Sequence, residues 1–94
     1  MTDTLEELFA VIEDRKAELP SDSYTAALMT DEKGIDAVLE KVGEETTELV
    51  LAAKDGNREA VAHESADLVY HLLVVLSSLD MDLEVLLEEL EDRR

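Results

Sequence analysis

Acidic residues whose types and spacing suit metal chemistry lie on both sides of a turn signal, Asp55-Gly56-Asn57. Glu48 and Glu64 lie eight residues before and after the central glycine. Glu45 and Asp67 lie eleven residues before and after it. If the flanking segments are antiparallel helices, a rise of ~1.5 Å per residue places the inner pair about 12 Å and the outer pair about 16 Å from the turn. Four carboxylates would then meet across one helix–helix seam, where they repel one another unless a cation neutralises them.

The spacing within each segment also agrees with a metal site. Glu45-x-x-Glu48 and Glu64-x-x-Asp67 each place two carboxylates on one face of a helix, one turn apart. Oxygen ligands suit the hard cations Mg²⁺ and Mn²⁺. The chain has no cysteine and no histidine array of the kind that binds zinc. Because the same spacing is common on solvated helix faces, a structural acidic surface remains the alternative.

The position of the charged residues around the first helix favours the metal site. At ~100° per residue, Lys41 and Glu48 fall within about 60° of Glu44. Glu45 falls at about 100°, beside an apolar stripe that covers about 120° to 180°. A solvated charge run normally lies opposite the core, whereas carboxylates at the core edge are partly desolvated, as a metal site requires. Lys41 shares this arc and is therefore a candidate contact for a polyphosphate held by the metal.

His71 follows Asp67 by one helical turn and points to the same side of its helix as the acidic residues. It is a candidate contact for substrate or for the groups around the metal, and a satisfied histidine in the core is the alternative. Tyr70 lies about 100° further around the helix, so we expect it in the core or at a subunit contact.

Periodicity and capping signals predict an all-α fold, with a central antiparallel helical hairpin and flanking helices in one domain that spans residues 1–94. The predicted helices cover residues 3–19, 35–54 and 58–79, with a short helix after Ser23 in the connector 20–34 and a last helix that starts at Asp80 or Asp82. The connector suits either a loop over the site or a plain linker.

The run Leu68–Leu76 has no hydrophilic face. Its valines also suit a strand, but its length and the helical spacing of the acids before it favour a helix. A helix that is apolar all round is buried on all sides, and a chain of 94 residues buries a limited share of its surface. We therefore expect a homodimer that packs as a helical bundle.

The formal net charge of −17 at pH 7 argues against direct binding to nucleic acid or to an anionic membrane. It suits a halophilic cytoplasm, where salt screens the repulsion between acidic side chains, and an ordinarily acidic protein is the alternative. No segment resembles a signal peptide or the ~20 apolar residues of a membrane span. We therefore expect a cytoplasmic location.

Motifs spread over nearly the whole chain carry a resemblance to a known family. They are Asp14-Arg15-Lys16, Ser23-Tyr24-Thr25, Lys41–Glu45, Glu48, Ala52-Ala53-Lys54 and Glu64–His71. With them the chain resembles the phosphoribosyl-ATP pyrophosphatases of histidine biosynthesis, which belong to the MazG-like all-α nucleoside triphosphate pyrophosphohydrolases. The paired Glu-x-x-Glu and Glu-x-x-Asp are typical of the whole superfamily, whereas Ser-Tyr-Thr and Lys-Val-Gly-Glu-Glu are similar to the histidine-pathway family in particular.

The resemblance implies Mg²⁺-dependent hydrolysis of phosphoribosyl-ATP to phosphoribosyl-AMP and pyrophosphate, with Mn²⁺ as an alternative ion. The metal ligands that it implies are Glu45, Glu48, Glu64 and Asp67. The catalytic residues that it implies are Glu44, Glu45 and Glu48, of which Glu44 is a further ligand or orients water. The implied substrate contacts are Arg15, Lys16, Lys41 and Lys54 for phosphate, Ser23, Tyr24 and Thr25 in a loop, and His71.

Other interpretations stay open at this point. By composition alone, Arg15 and Lys16 would be charges that favourably oppose a helix dipole in its last turns. A house-cleaning nucleoside triphosphate pyrophosphatase of the same fold is an alternative enzyme. An acidic helical interaction module without activity is the alternative outside enzymes.

Overall fold

A computed structural model describes residues 2–94 as five α helices. They are α1 (Thr2–Glu18), α2 (Tyr24–Met29), α3 (Ile35–Asp55), α4 (Arg58–Ser78) and α5 (Leu83–Glu91). Within this described range there is no strand, and the run Leu68–Leu76 lies inside α4. The all-α prediction is confirmed.

The helix ends follow local signals in the sequence. Helix α1 ends one residue before the predicted boundary because Leu19, which precedes Pro20, adopts a left-handed φ of 49°. Ser23 caps α2 as predicted, since its Oγ accepts a hydrogen bond from the backbone N–H of Ala26 at 3.1 Å. Of the two predicted starts for the last helix, Asp82 occupies the N-cap position.

The turn between α3 and α4 builds the central hairpin. Gly56 adopts a left-handed φ of 69°, which glycine reaches without a steric penalty. Its N–H donates to Ala53 O at 3.1 Å, and the Asn57 N–H donates to Ala52 O at 3.2 Å. Asn57 then caps α4 by accepting a hydrogen bond from the Ala60 N–H at 3.1 Å. The chain therefore reverses within two residues, and α3 and α4 form the main packed pair of the fold.

The aliphatic core lies where α1 and α5 pack on the hairpin. Its fully or nearly fully buried residues are Phe9, Ile12, Val38, Leu73, Val74 and Leu83. Among the described residues, no helix is both long and apolar enough to cross a lipid bilayer.

A polar network ties α1 to the end of α4. The fully buried Ser77 donates from Oγ to Glu13 Oε2 at 2.8 Å. Lys16 Nζ donates to Ser77 O at 2.8 Å and to Asp80 Oδ1 at 3.0 Å, and it lies 3.2 Å from Glu13 Oε2. These contacts hold α1 across α4 at the end far from the hairpin turn, and so orient the hairpin that carries the acidic residues.

Candidate metal centre

Three carboxylates meet across the seam between α3 and α4. Glu45 and Glu48 come from α3 and Glu64 from α4, and each offers an oxygen within 4.8 Å of the other two. The side chain of Glu45 is buried, with 6% of the residue exposed. Its position beside the apolar stripe predicts this burial. We refer to Glu45, Glu48 and Glu64 as the carboxylate trio.

Two oxygens of the carboxylate trio are buried without a partner. Glu45 Oε2 and Glu64 Oε2 are inaccessible to solvent and accept no hydrogen bond. A buried acceptor of this kind costs free energy unless a donor or a cation satisfies it. The donor set consists of carboxylate oxygens, which are the ligands that Mg²⁺ and Mn²⁺ prefer. The residues present therefore fit a hard divalent cation.

The trio also changes the protonation of Glu64. A proton that Glu64 can share with Glu48, partial desolvation and the negative charges of Glu48 and Glu45 raise the pKa of Glu64 to about 7, from an ordinary value of 4.5. Close carboxylates share a proton because both cannot ionise freely at short range. The negative charges of the trio therefore repel one another near neutral pH, and a proton or a metal ion can relieve this repulsion.

Asp67 lies next to the trio rather than within it. Its carboxylate groups with Glu64 and His63, each offering a ligand atom within 4.8 Å of the others. His63 Nε2 is 3.3 Å from Asp67 Oδ2. The predicted meeting of four carboxylates is thus an arrangement of three, with Asp67 beside Glu64.

His63 is a potential ligand that the sequence reasoning missed. The signal was present, since His63 precedes Glu64 directly and lies one turn before Asp67. A single histidine does not form the His or Cys array that is typical of zinc sites. The structure places His63 at the solvent edge of the acidic cluster.

Lys41 supplies the positive charge closest to the trio within one chain. Its Nζ lies 3.3 Å from Glu44 Oε2 and 3.9 Å from Glu45 Oε1. The hydrogen bond to Glu44 and the charges of Glu44 and Glu45 outweigh desolvation and raise the pKa of Lys41. Lys41 therefore stays charged at the edge of the trio, and Glu44 is exposed beside it.

A surface hollow of about 640 Å³ adjoins the exposed side of the trio. It is lined by Glu40, Gly43, Glu44, Thr47 and Glu48. A Cβ built on Gly43 would meet nothing within 4 Å. The hollow thus leaves room for a ligand to reach Glu48 and Glu44 from solvent.

Helix α2 is docked on α4 beside Asp67. The Tyr24 hydroxyl lies 2.7 Å from His71 Nε2, and His71 Nδ1 lies 2.7 Å from Asp67 O. Thr25 Oγ1 hydrogen-bonds the hydroxyl of Tyr70. Burial raises the pKa of Tyr24, against the lowering effect of the Lys41 charge, and the charge of Glu45 raises it further. The Tyr24 hydroxyl therefore stays protonated between the docked helix and the trio.

The remaining predicted substrate residues do not gather at the trio within one chain. Lys16 contacts the end of α4, thirteen residues and so about 20 Å along the helix from Glu64. Arg15 pairs with its neighbour Asp14 at 2.9 Å. Lys54 is exposed in the last turn of α3. Ser23 uses its hydroxyl oxygen as the cap of α2.

Comparison with known proteins relates this geometry to a family. The family model described as phosphoribosyl-ATP pyrophosphohydrolase matches residues 5–94. The chain therefore belongs to the phosphoribosyl-ATP pyrophosphohydrolase family. The family match confirms the resemblance and the hydrolase class that the sequence predicts.

Individual relatives cover the whole chain. A phosphoribosyl-ATP pyrophosphatase from Haloarcula marismortui is 68% identical over 92 residues, which is 98% of this chain and 94% of the relative. One from Halobacterium salinarum is 64% identical over 95 residues and covers 100% of both chains. One from Methanocella arvoryzae is 49% identical over 94 residues, with 100% and 99% covered. The two halophilic sources among these phosphoribosyl-ATP pyrophosphohydrolase family members fit the acidic composition of this chain.

Proposed function

We propose that this chain hydrolyses phosphoribosyl-ATP to phosphoribosyl-AMP and pyrophosphate, a step of histidine biosynthesis, and that it needs Mg²⁺, with Mn²⁺ as a substitute. The observation that carries the proposal is the pair of buried, unpartnered oxygens on Glu45 and Glu64, within a trio of carboxylates in a family member. The relatives' names supply the substrate. We propose that the chain acts as a single domain in the cytoplasm.

The proposed metal ligands are the carboxylate trio and Asp67. Asp67 joins them through a side-chain rotation away from His63, which is 72% exposed and holds Asp67 from the solvent side. When bound, Mg²⁺ neutralises negative charge on phosphate oxygens of the substrate. This accounts for the binding of a polyphosphate by a chain with a net charge of −17.

The side chains around the trio have separate proposed roles. Lys41 contributes a fixed positive charge to the phosphate chain, because its amine stays protonated between Glu44 and Glu45. Glu44 is exposed and lines the hollow, so its carboxylate orients the water that adds across the phosphoanhydride and accepts one of its protons. Each turnover consumes one water and gives the monophosphate and pyrophosphate.

A substrate panel tests the reaction. Pyrophosphate release is measured with phosphoribosyl-ATP and with the dNTPs, each with and without Mg²⁺, at low and high salt. The proposal predicts Mg²⁺-dependent release from phosphoribosyl-ATP in preference to the dNTPs. Preference for dNTPs would instead identify a house-cleaning pyrophosphatase.

Metal titration separates the enzyme from an acidic interaction module. Calorimetry with MgCl₂ compares the wild type with Glu48→Gln and Asp67→Asn. We expect the affinity for Mg²⁺ to fall at least about tenfold in each variant, since the change removes a proposed ligand. Unchanged affinity in both variants would favour a structural acidic surface.

We also propose that a second copy of the chain packs on α4. An exposed stripe of Ala62, Ala66 and Val69 follows the helical i, i+4, i+7 spacing, and Leu72 extends it at i+3 from Val69. Val69 and Leu72 are 39% and 42% exposed, although the run that contains them is apolar all round. The small alanines allow a second helix to approach closely. In such a dimer the partner would bring Arg15 and Lys54 toward substrate phosphates.

The homodimer is tested by light scattering after size-exclusion chromatography. Val69→Lys places a charge in the stripe, and we expect it to shift the mass from dimer to monomer. Val11→Lys on α1, where the valine is similarly exposed at 43%, is the matched control and leaves the dimer intact. A monomeric wild type, or equal effects of the two variants, would contradict the proposed interface.

A further inference from the structure

The backbone of α4 determines the direction of the hydrogen bond between Tyr24 and His71. His71 Nδ1 faces the backbone oxygen of Asp67 at 2.7 Å. A carbonyl oxygen only accepts hydrogen bonds, so Nδ1 carries a hydrogen. In a neutral imidazole the other nitrogen is then an acceptor. The Tyr24 hydroxyl therefore donates to His71 Nε2 across 2.7 Å.

The ring of His71 lies among uncharged groups. His71 is buried, with 5% exposed. Its two nitrogens contact a backbone carbonyl and a phenol, both uncharged. The nearby Asp67 carboxylate is 3.3 Å from His63 instead. With the hydrogen placed on Nδ1 by the Asp67 carbonyl, the Nε2 lone pair faces the Tyr24 hydroxyl.

The same packing fixes the ring of Tyr24 against His71. The ring of His71 meets Tyr24 edge-on at 5.7 Å and 86°, and meets Tyr70 at 5.6 Å and 84°. The neighbouring residue in α2, the buried Thr25, hydrogen-bonds Tyr70. Two adjacent residues of α2 thus contact two adjacent residues of α4, and the Tyr24 hydroxyl oxygen is held against Nε2 of His71.

The consequence concerns what Tyr24 can recognise. Its only hydroxyl hydrogen is committed to His71, whereas its oxygen keeps acceptor capacity and the residue is 52% exposed. Ionised phosphate offers acceptor oxygens and no donors, so Tyr24 in this state cannot hydrogen-bond it. A ribose hydroxyl or a base amino group offers a donor.

We propose that Tyr24 is a specificity residue that accepts a hydrogen bond from a hydroxyl or amino group of the nucleoside part of the substrate, and that it does not bind the phosphate chain. His71 is the positioning residue that sets this polarity. The proposal rests on the nucleotide hydrolysis proposed above and assigns its site a contact with the nucleoside. Lys41, beside Tyr24, then serves the phosphates.

Steady-state kinetics of Tyr24→Phe tests this assignment. The KM for phosphoribosyl-ATP is expected to rise about three- to tenfold, the effect of one lost hydrogen bond, while kcat stays within about twofold because the contact is not to the reacting atoms. Product inhibition by pyrophosphate, which has no nucleoside, is expected to be unchanged. Tyr70→Phe is the matched control for the docking of α2, since it removes the hydroxyl that binds Thr25 and keeps the hydroxyl of Tyr24. A KM that rises as far in Tyr70→Phe as in Tyr24→Phe would overturn the assignment to the Tyr24 hydroxyl.

Two variants of His71 test the positioning role. His71→Gln keeps an acceptor for the Tyr24 hydroxyl, so its KM is expected to stay within about twofold of the wild-type value. His71→Leu removes the acceptor and is expected to raise KM as Tyr24→Phe does. Should His71→Leu fail to fold by circular dichroism, the Tyr24→Phe and His71→Gln results decide.

Two further outcomes would overturn the inference: an unchanged KM in Tyr24→Phe, or an equal weakening of pyrophosphate inhibition, which would assign the hydroxyl to phosphate. If the wild type does not hydrolyse phosphoribosyl-ATP, the proposed substrate fails by itself. KM and pyrophosphate inhibition are then compared between the wild type and Tyr24→Phe with the nucleotide of the panel that is hydrolysed. This comparison decides the role of Tyr24 independently of the proposed substrate. In the absence of any hydrolysis, calorimetric binding of ATP and pyrophosphate to wild type and Tyr24→Phe gives the same comparison.

Discussion

Glu48 and Glu64 face each other across the seam between α3 and α4, and a proton shared between their carboxylates is the largest cause of the raised pKa of Glu64, about 7. The two residues come from helices that meet only because the chain reverses at Gly56. Glu45 adds a third carboxylate with a buried, unpartnered oxygen. The hairpin therefore brings together negative charge that the folded chain does not itself neutralise.

Glu64→Gln is expected to raise the melting temperature of the metal-free protein and to abolish its response to Mg²⁺. The amide removes one of three opposed charges and can donate to Glu48 or Glu45. In the wild type, Mg²⁺ at about 100 times its Kd is expected to add about 2.7 kcal/mol to the free energy of unfolding. Thermal unfolding with EDTA or MgCl₂, at constant high salt, measures both effects.

Glu7→Gln, on the exposed surface of α1, removes the same formal charge and serves as the control for Glu64→Gln. It is expected to retain the full Mg²⁺ response. A destabilised metal-free Glu64→Gln, or a variant that Mg²⁺ stabilises as strongly as the wild type, would contradict a metal centre at the trio.

The free energy of unfolding is expected to depend on pH in part through the titration of Glu64. Its pKa is raised in the folded chain to about 7 from an ordinary 4.5, so between these values the folded state binds a proton that the unfolded state does not. The free energy of unfolding of the metal-free protein therefore rises as pH falls through about 7. The stabilising contribution of Glu64 is fully present below about pH 4.5, the pKa of an ordinary glutamate. Urea unfolding from pH 8 to pH 5 measures it.

All acidic side chains contribute to the same trend, because protonation relieves the repulsion of a chain with net charge −17. The contribution of Glu64 is isolated as the difference in pH slope between the wild type and Glu64→Gln. Saturating Mg²⁺ should reverse this difference, since metal binding needs ionised carboxylates. Identical pH slopes for the two metal-free proteins would show that Glu64 titrates normally.

The sequence predicts the parts of this molecule that depend on local signals. Asp55-Gly56-Asn57 specifies a left-handed helix end followed by an N-cap, and both form. The placement of Glu45 beside an apolar stripe predicts its burial because the helical period is fixed. These local rules suffice to bring three carboxylates to one seam.

The sequence does not predict features that depend on side-chain rotamers or on packing between distant segments. Asp67 has the predicted spacing but turns to His63, because a rotamer choice and not the helical period decides which neighbour it meets. The contacts of Lys16 depend on how α1 crosses α4, sixty-one residues away in the sequence. Spacing along the chain carries no information about either.

Lys16→Met is expected to lower the free energy of unfolding by about 1–3 kcal/mol, because it leaves Ser77 O and the buried side of Glu13 without their charged donor. The methionine keeps the apolar stem in place. Urea unfolding at constant high salt measures the change. Arg15→Met is the control, since its exposed pair with the adjacent Asp14 should contribute less than about 1 kcal/mol. A Lys16→Met protein with wild-type stability and impaired hydrolysis would assign Lys16 to substrate phosphate instead.

Gly43 and Gly56 are expected to respond in opposite directions to the same replacement by alanine. A Cβ at either position meets nothing within 4 Å, so contacts do not distinguish them. Gly43 lies inside α3, where alanine is favoured over glycine by about 1 kcal/mol. Gly56 has a left-handed φ of 69°, which costs an L-residue about 1–2 kcal/mol. Gly43→Ala should therefore stabilise the metal-free chain and Gly56→Ala should destabilise it, as measured by urea unfolding.

The two glycine variants also distinguish the effect of the hairpin turn on Mg²⁺ binding from the effect of the hollow on nucleotide binding. Gly56→Ala weakens the turn that sets Glu48 against Glu64, so its Mg²⁺ affinity is expected to fall together with its stability. Gly43→Ala leaves the trio in place and narrows the hollow beside Glu48, so Mg²⁺ affinity should stay constant while the KM for nucleotide rises. A destabilised Gly43→Ala would mean that another backbone packs against this glycine in the assembled protein, and the light-scattering mass of the same sample would show whether the dimer is lost with it.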